Sequence, residues 1–336
     1  MSNNTYIIAE LSANHGGSLD HACQTIHAMH EAGADAVKLQ TYTPDTMTIN
    51  STRSEFMIGS GTIWEGRNLY DLYREAHTPW EWQPEIFRLA NELGMDCFST
   101  PFDKSAVDFL EDLNPPCYKI ASFELVDLPL IEYVASKGRP IIMSTGMGTL
   151  AEITEAVQVV KTAGVPLTLL KCTSAYPSPP EAMNLSTISH LRDAFNVPCG
   201  LSDHTLGIAV PVAAVALGAT VVEKHVTLSR DIPGPDSSFS LEPEELKAMV
   251  DAIRITEKAI GRVNYQLTDK EDASKTFRRS LFVVENIKKG ETFTHQNVRS
   301  IRPGQGLPPK TLPLIIGRTA SDDLTAGTPL SWSAVL

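Results

Sequence analysis

Eight short apolar runs recur along the chain as far as residue 225, and they constrain its fold most strongly. They cover residues 6–11, 36–40, 96–100, 117–121, 140–144, 167–172, 198–202 and 221–225. Segments with the apolar spacing of amphipathic helices lie between most of them, and several of these segments are followed by glycine, which favours helix termination. Eight strand–helix repeats in 336 residues predict a (β/α)8, or TIM, barrel rather than an open doubly wound sheet.

The pattern changes beyond the last repeat, which indicates a second domain. We assign residues 1–265 to the barrel, 266–277 to a polar linker and 278–336 to a small domain rich in strands and turns. So short a domain is expected to have little core of its own and to pack on another surface.

One connection inside the barrel is much longer than the others. Residues 41–79 separate the second apolar run from its helix and include Trp64, Tyr70 and Tyr73. Long loops in compact domains are usually functional or disordered. The aromatic content predicts an ordered lid or a wall of a substrate site.

Charge and composition exclude several classes of partner. The net charge of −12, without a long basic run, argues against a nucleic-acid-binding surface. No apolar run is long enough to span a membrane, and the N-terminal residues lack the features of a signal peptide. The five cysteines include no CxxC pair, which favours reduced thiols. These features predict a cytoplasmic protein without nucleic-acid or membrane partners.

Polar residues gather where the predicted strands end, which is where barrel enzymes hold their catalytic groups. Lys38 and Lys119 stand among hydroxyl-bearing residues, and such a mixture suits a dianion such as phosphate. Each hydroxyl has a structural alternative as a helix N-cap, whereas a buried lysine needs a partner. The hydroxyls are those of Thr100, Ser122, Ser144, Ser174 and Ser202.

Two further strand ends carry histidines. His204 and His225 follow neighbouring predicted strands, which would lie roughly 5 Å apart. Two neutral imidazoles at that separation could share one divalent transition metal, although either histidine alone could be a polar strand-end residue. Glu10 lies at the end of the first predicted strand and would face the lysines. It is interpreted either as a structural ion pair or as a general acid or base.

The chain also resembles a known family along almost its whole length. The segments 9–15, 38–41, 98–103, 118–124, 144–147, 171–177, 202–205, 223–225 and 233–236 are similar, in order, to motifs of the sialic acid synthase family. Members condense phosphoenolpyruvate with an amino-sugar aldehyde. Residues 278–336 resemble the antifreeze-like, or SAF, domain that ends these enzymes.

The resemblance implies a role for each matching position. It implies a divalent metal, manganese, at His204 and His225, and catalytic roles for Glu10, Glu124 and Asp236. Phosphoenolpyruvate would bind Lys38, Thr100, Lys119, Ser122, Ser144, Ser174 and Ser202, and the sugar would bind Gln40, Tyr176, Asp236 and Arg302. Arg302 would reach the site of the partner subunit in a domain-swapped homodimer.

Segments 12–15, 64–66, 69–73, 78–82 and 173–176 are most similar to the pseudaminic acid branch of the family, which uses 2,4-diacetamido-2,4,6-trideoxy-altrose. N-acetylneuraminate or legionaminate synthesis is the alternative within the family. A metal-dependent aldolase or a related lyase using Lys119 or Lys171 as a Schiff-base amine is an alternative of another class. A sugar-binding or antifreeze-like structural protein would leave the paired histidines without a purpose.

Overall fold

A computed structural model describes residues 4–336, in which eight parallel strands close into a barrel in sequence order. The strands are β1 Tyr6–Glu10, β2 Ala36–Thr41, β3 Asp96–Pro101, β4 Tyr118–Ile120, β5 Ile141–Ser144, β6 Leu167–Cys172, β7 Cys199–Asp203 and β8 Val221–His225. The closure pairs β1 with β8 and sets Glu10 opposite His225. The predicted barrel is confirmed.

Helices cover the outside of this barrel. Within residues 4–336, the α-helices are α1 Leu19–Glu31, α2 Pro44–Met47, α3 Leu69–Ala76, α4 Gln83–Glu92, α5 Lys104–Asp112, α6 Leu128–Ala135, α7 Leu150–Ala163, α8 Thr187–Phe195, α9 Ala209–Ala216, α10 Pro243–Ile260, α11 Asp269–Ala273 and α12 Leu312–Ile315. Thr149 begins α7 with a reciprocal capping box, and Gly164 ends it with a left-handed φ of 74°.

The barrel interior changes from apolar to polar along the strands. One buried cluster takes a residue from most strands, namely Ile8, Ala36, Phe98, Cys117, Ile142, Leu170 and Val221. Side chains on a strand alternate between faces, so the residue two positions later points the same way. Those next positions are Glu10, Lys38, Thr100, Lys119, Ser144, Cys172 and Glu223. The alternation therefore places charged and hydroxyl groups above an apolar layer, inside the barrel.

The long connection after β2 is ordered. It contains α2, a 3-10 turn at Ser54–Phe56 and α3. Trp80 Nε1 donates to the Tyr42 carbonyl at 3.1 Å, and a His15 ring nitrogen lies 3.2 Å from the Ala76 carbonyl oxygen. The first contact joins the two ends of the segment, and the second ties it to the loop after β1.

The chain divides into two compact units after Gly261, and the second runs from Arg262 to Leu336. Its strands β9 Ser280–Val283 and β10 Val298–Ile301 are antiparallel. The expectation of little core is wrong, because eight apolar side chains are buried together. They are Leu281, Val283, Ile287, Phe293, Val298, Ile315, Ala320 and Leu330. The polar stretch before this core includes the short helix α11, which Thr268 caps.

The structure also bears on the predicted absence of a membrane span. Across residues 4–336, every helix is too short or too polar to cross a bilayer.

Candidate active site

Four buried charges form the base of the site, and we call Glu10, Lys38, Lys119 and Glu223 the charged floor. Lys38 pairs with Glu10, and its Nζ lies 3.8 Å from Glu223 Oε1. Lys119 Nζ donates to both Glu223 oxygens, at 2.8 and 2.9 Å. All four residues are at most 4% exposed. Two carboxylates therefore balance the charges of the two lysines.

Glu223 is a functional candidate to which the sequence analysis gave no role. It lies inside an apolar run, yet it points inward two residues before His225. Burial favours its neutral acid, but Lys119 and Lys38 outweigh burial and lower its pKa to about 2. Burial has the larger effect at Glu10 and raises the pKa of that carboxyl, although Lys38 opposes the rise. Of the two carboxyls, Glu10 therefore takes up a proton more readily.

Lys224 and Asp203 form a separate buried pair. Lys224 alternates with Glu223 and His225 along β8, so it points out of the barrel, where its Nζ bonds to Asp203 Oδ2 and to the Thr205 carbonyl. Asp203 in turn accepts from the backbone and side chain of Thr205. Asp203 therefore has its ion-pair partner, Lys224, outside the charged floor.

Hydroxyl groups surround the charged floor, and two of them are free to bind a ligand. The hydroxyl oxygens of Thr100 and Ser144 are buried and have no hydrogen-bond partner among the described residues. Ser202 Oγ donates to Glu223 Oε1 at 3.0 Å. Buried polar groups are normally paired, so the free hydroxyls of Thr100 and Ser144 suggest that a ligand completes them.

A glycine brings two more hydroxyls together beside this group. Gly146 N donates to Ser122 Oγ at 3.0 Å. A Cβ atom at Gly146 would lie 2.3 Å from Ser174 Oγ and 2.7 Å from Ser122 Oγ. The absence of a side chain at Gly146 therefore keeps this corner open. The structure thus brings together all seven positions assigned to phosphoenolpyruvate around one floor.

The rings of His204 and His225 lie side by side, with centroids 5.3 Å apart. His204 Nδ1 is 3.1 Å from the Thr173 carbonyl oxygen, which can only accept, so Nδ1 carries a proton and Nε2 is the nitrogen with which the neutral ring would bind a metal. His225 Nδ1 is buried without a hydrogen-bond partner in residues 4–336. Burial and nearby positive groups hold the pKa of His225 well below its usual range, so this ring is neutral.

These two rings suit a divalent metal. A backbone carbonyl orienting the far nitrogen of a ligating histidine is the usual support for such a site. Within residues 4–336, no group of three His, Cys, Asp or Glu side chains could enclose an ion. A metal held by the two histidines would keep open positions for substrate, as catalytic sites do.

A cavity of about 370 Å³ adjoins His225 and is largely apolar. The connection between β2 and α4 supplies much of its wall, as the sequence predicted, through Tyr42, Met47, Ile58, Trp64, Leu69, Leu72, Tyr73 and Ala76. Trp64 Nε1 donates to the Pro235 carbonyl at 2.9 Å. The polar residues that line the cavity are Gln40, Glu124, Tyr176 and Asp236, together with Ser12 and His225.

Tyr176 joins the cavity wall to the histidine pair, since its ring centroid lies 4.4 Å from that of His204 and 5.6 Å from that of Trp64. Arg302 is exposed and belongs to the second unit, in the turn after β10. The structure thus gathers Gln40, Tyr176 and Asp236 in one cavity.

Glu124 is the acid in this cavity whose charge should change near neutral pH. Burial raises its pKa to about 7, and its Oε2 atom has no partner within residues 4–336. An unfolded glutamate titrates near about 4.3, so the folded state holds this proton more tightly. The bound proton stabilises the folded state fully at low pH, and this stabilisation is lost progressively as the pH rises from about 4.3 through 7.

Glu124→Gln stays neutral at every pH. We therefore expect its stability relative to the wild type to increase as the pH is raised from 5 to 8. The gain should reach up to about 3 kcal/mol, since a tenfold change in proton affinity corresponds to ~1.4 kcal/mol. Thermal unfolding at both pH values measures it. A difference between the two proteins that does not change with pH would contradict the assigned burial.

The chain matches known proteins over nearly its whole length. The NeuB family model matches residues 25–265, and the SAF domain model matches residues 278–336. The pseudaminic acid synthase of Campylobacter jejuni is 48% identical over 98% of this chain and 96% of its own. The N,N'-diacetyllegionaminic acid synthase of Legionella pneumophila is 38% identical over 98% of this chain and 94% of its own.

A solved structure agrees with these matches. The spore coat polysaccharide biosynthesis protein spsE of Bacillus subtilis is 36% identical, and its crystal structure superposes with a TM-score of 0.66 over 99% of this chain and 95% of the other. The match at residues 278–336 confirms the predicted SAF domain. At these identities over almost the full length, the protein belongs to the NeuB family, the sialic acid synthase family that its motifs indicate.

Proposed function

We propose that this chain is a pseudaminic acid synthase. It would condense phosphoenolpyruvate with 2,4-diacetamido-2,4,6-trideoxy-altrose to give a nonulosonic acid and phosphate. The observation that carries the reaction type is one barrel mouth where free hydroxyls over the charged floor meet a pair of histidines and an apolar cavity. The greater similarity to the Campylobacter jejuni enzyme than to the legionaminic acid synthase supports this sugar.

In this proposal, the charged floor and its hydroxyls hold phosphoenolpyruvate. Lys38 and Lys119 supply charge, and Thr100 and Ser144 offer hydroxyls that the protein itself leaves unpaired. Ser122, Ser174 and Ser202 add further donors. Glu10 and Glu223 keep the two lysines protonated, because buried lysines without counter-charges would lose their protons.

The family generally depends on a divalent metal, and we propose manganese, held by His204 and His225. Two imidazoles with available nitrogens suit a first-row transition ion. When bound, the metal would polarise the aldehyde carbonyl of the sugar. Asp236 lies 3.9 Å from His225 Nδ1, measured to its Oδ2 atom, and we assign it to the sugar or to water beside the metal.

The bonding changes follow from the two substrates. C3 of phosphoenolpyruvate bonds to the aldehyde carbon, whose oxygen takes up a proton, and water adds at C2 with loss of a proton. The bond from C2 to the bridging oxygen then breaks, so that phosphate leaves with that oxygen. We assign Glu10 to the water, because its raised pKa favours proton uptake and Gln40 Nε2 holds its Oε1 at 3.2 Å. Glu124, with a pKa near 7, can exchange a further proton.

The cavity next to the histidines suits the sugar. Its wall from the long connection is apolar, which fits a 6-deoxy carbon and acetamido methyl groups. Gln40, Tyr176 and Asp236 are the polar groups that would orient the sugar. Neutral apolar surface of this kind would bind a 6-hydroxyl less well, since a buried hydroxyl needs a partner.

Gly146 provides a test of the proposed phosphoenolpyruvate site. We expect Gly146→Ala to raise the Michaelis constant for phosphoenolpyruvate by at least roughly tenfold, because its methyl group must displace the Ser122 and Ser174 hydroxyls. Steady-state kinetics measure this effect. Gly59→Ala is the matched control, since Gly59 has open space for a methyl group. Equal Michaelis constants for the two variants would remove Gly146 from the site.

We also propose a cytoplasmic, domain-swapped homodimer in which Arg302 covers the acylamino group of the sugar in the partner's site. Arg302 is exposed in its own unit, so its loss should not affect folding. We expect Arg302→Ala to raise the Michaelis constant for the sugar at least roughly tenfold, as loss of a charged hydrogen bond does, with an unchanged melting temperature. Unchanged sugar kinetics would exclude Arg302 from the site.

Phosphate release with two sugars tests the proposed substrate. With phosphoenolpyruvate and Mn²⁺, we expect faster turnover of 2,4-diacetamido-2,4,6-trideoxy-altrose than of N-acetylmannosamine. Preference for N-acetylmannosamine would support the alternative, an N-acetylneuraminate synthase, and the corresponding test for legionaminate uses its own diacetamido sugar. Borohydride trapping with a keto acid tests the aldolase alternative, which Lys119 fits poorly because Glu223 engages it.

A further inference from the structure

Ser12 is a buried residue at the mouth of the barrel with an unusual backbone conformation. It follows β1 closely, is 3% exposed and lines the cavity. Its φ is 45°, in the left-handed region that residues other than glycine seldom adopt. Such strain persists where the surroundings impose it, and it occurs often at functional sites.

The hydrogen bonds around Ser12 run in one direction, from Gln40 to Asp236. Gln40 Nε2 donates to Ser12 Oγ at 2.9 Å and to Glu10 Oε1 at 3.2 Å. A serine hydroxyl has a single proton, and that of Ser12 is donated to Asp236 Oδ2. Ser12 therefore orders a chain that leads from the charged floor to the carboxylate beside His225.

The local backbone does not depend on this hydroxyl. Asn14 Nδ2 ties the same segment to the Val226 carbonyl at 2.9 Å and to Ser240 Oγ at 2.8 Å. Ser240 Oγ in turn donates to the Asp236 carbonyl at 2.7 Å. The two loops are thus already joined by Asn14, whereas Ser12 contacts the functional groups of Gln40 and Asp236.

We propose that Ser12 is a positioning residue, which aims the Gln40 amide and the Asp236 carboxylate at the sugar. The inference rests on the proposed function and deepens it, because both partners of Ser12 belong to the sugar side of the cavity. Ser12 has no hydrogen bond to the lysines or to the hydroxyls assigned to phosphoenolpyruvate in the described structure. Its effect should therefore be confined to one substrate.

Two variants distinguish the effect of losing the Ser12 hydroxyl from the effect of relieving its strained backbone. Ser12→Gly removes the hydroxyl and suits the positive φ, so it should fold at least as well as the wild type. Ser12→Ala removes the same hydroxyl but keeps a Cβ in the strained conformation. We expect both to raise the Michaelis constant for the sugar roughly tenfold, as loss of one hydrogen bond to a charged group does, with that for phosphoenolpyruvate unchanged within about twofold.

The control is Asn196→Gly, which relaxes another positive φ, of 52°, at the end of α8 and away from the cavity. It should leave both Michaelis constants unchanged. Wild-type turnover is measured first, and its absence with every sugar would reject the proposed function and the role of Ser12 with it. Wild-type turnover with unchanged sugar kinetics in Ser12→Gly, or with equal losses for both substrates, would reject the role of Ser12 alone.

Discussion

Glu223→Ala is expected to lower the free energy of unfolding by about 3–5 kcal/mol and to abolish turnover, because it leaves a buried lysine without its partner. Lys119 donates to both oxygens of Glu223 and is 2% exposed. A buried ammonium without a counter-charge must lose its proton or draw in water. Chemical denaturation measures the loss.

A second substitution distinguishes the stability lost to the unpaired charge from the stability lost to the cavity that alanine creates. Glu223→Ala combined with Lys119→Met removes both charges and should recover part of the lost stability. Glu55→Ala is the control, since its ion pair with Arg53 lies on the surface and should not change stability measurably. A loss below about 1 kcal/mol for Glu223→Ala alone would contradict the described charge network.

In the proposed site His204 and His225 hold the metal, so His225→Ala should remove most of it. We expect metal affinity and turnover both to fall by more than roughly 100-fold, a larger effect than loss of a supporting contact. Bound manganese per chain, measured on the purified protein at matched free metal, provides a readout that does not depend on activity.

His27→Ala is the matched control for this substitution, since His27 is an exposed histidine on α1. It should keep the metal content and turnover of the wild type. Full manganese binding by His225→Ala would place the metal elsewhere, whereas lost binding with full turnover would show that the reaction does not need it.

The sequence predicted the barrel because its strands carry a simple signal. Runs such as Leu167–Cys172 and Val221–His225 have the same bounds in the structure as in the prediction. Strands of a barrel are buried on both faces, so they appear as short apolar runs. Because the strands are parallel, their polar C-terminal ends lie at one mouth of the barrel, and this is why the sequence singled out Lys38, Lys119 and the two histidines as candidates.

Partnerships between distant residues were not predictable from these patterns. Lys119 and Glu223 lie 104 positions apart, and a glutamate inside an apolar run does not reveal which lysine it meets. The bond between Ser12 and Asp236 spans 224 positions. Only the closure of the barrel brings such pairs together.

The second unit shows a different limit. Its apolar residues are too few and too scattered to predict a core by composition, yet Leu281, Phe293 and Ile315 converge when the chain folds. Burial depends on where turns direct the chain as well as on how many apolar residues it has.

The most direct test of the account follows one oxygen atom. Phosphoenolpyruvate labelled with ¹⁸O at the bridge between C2 and phosphorus is incubated with the diacetamido sugar, Mn²⁺ and the wild-type protein, and both products are analysed by mass spectrometry. Cleavage of the C–O bond predicts that the label appears in phosphate and that an unlabelled nonulosonic acid forms. Label retained in the sugar acid, or phosphate released without any sugar acid, would contradict the proposed condensation.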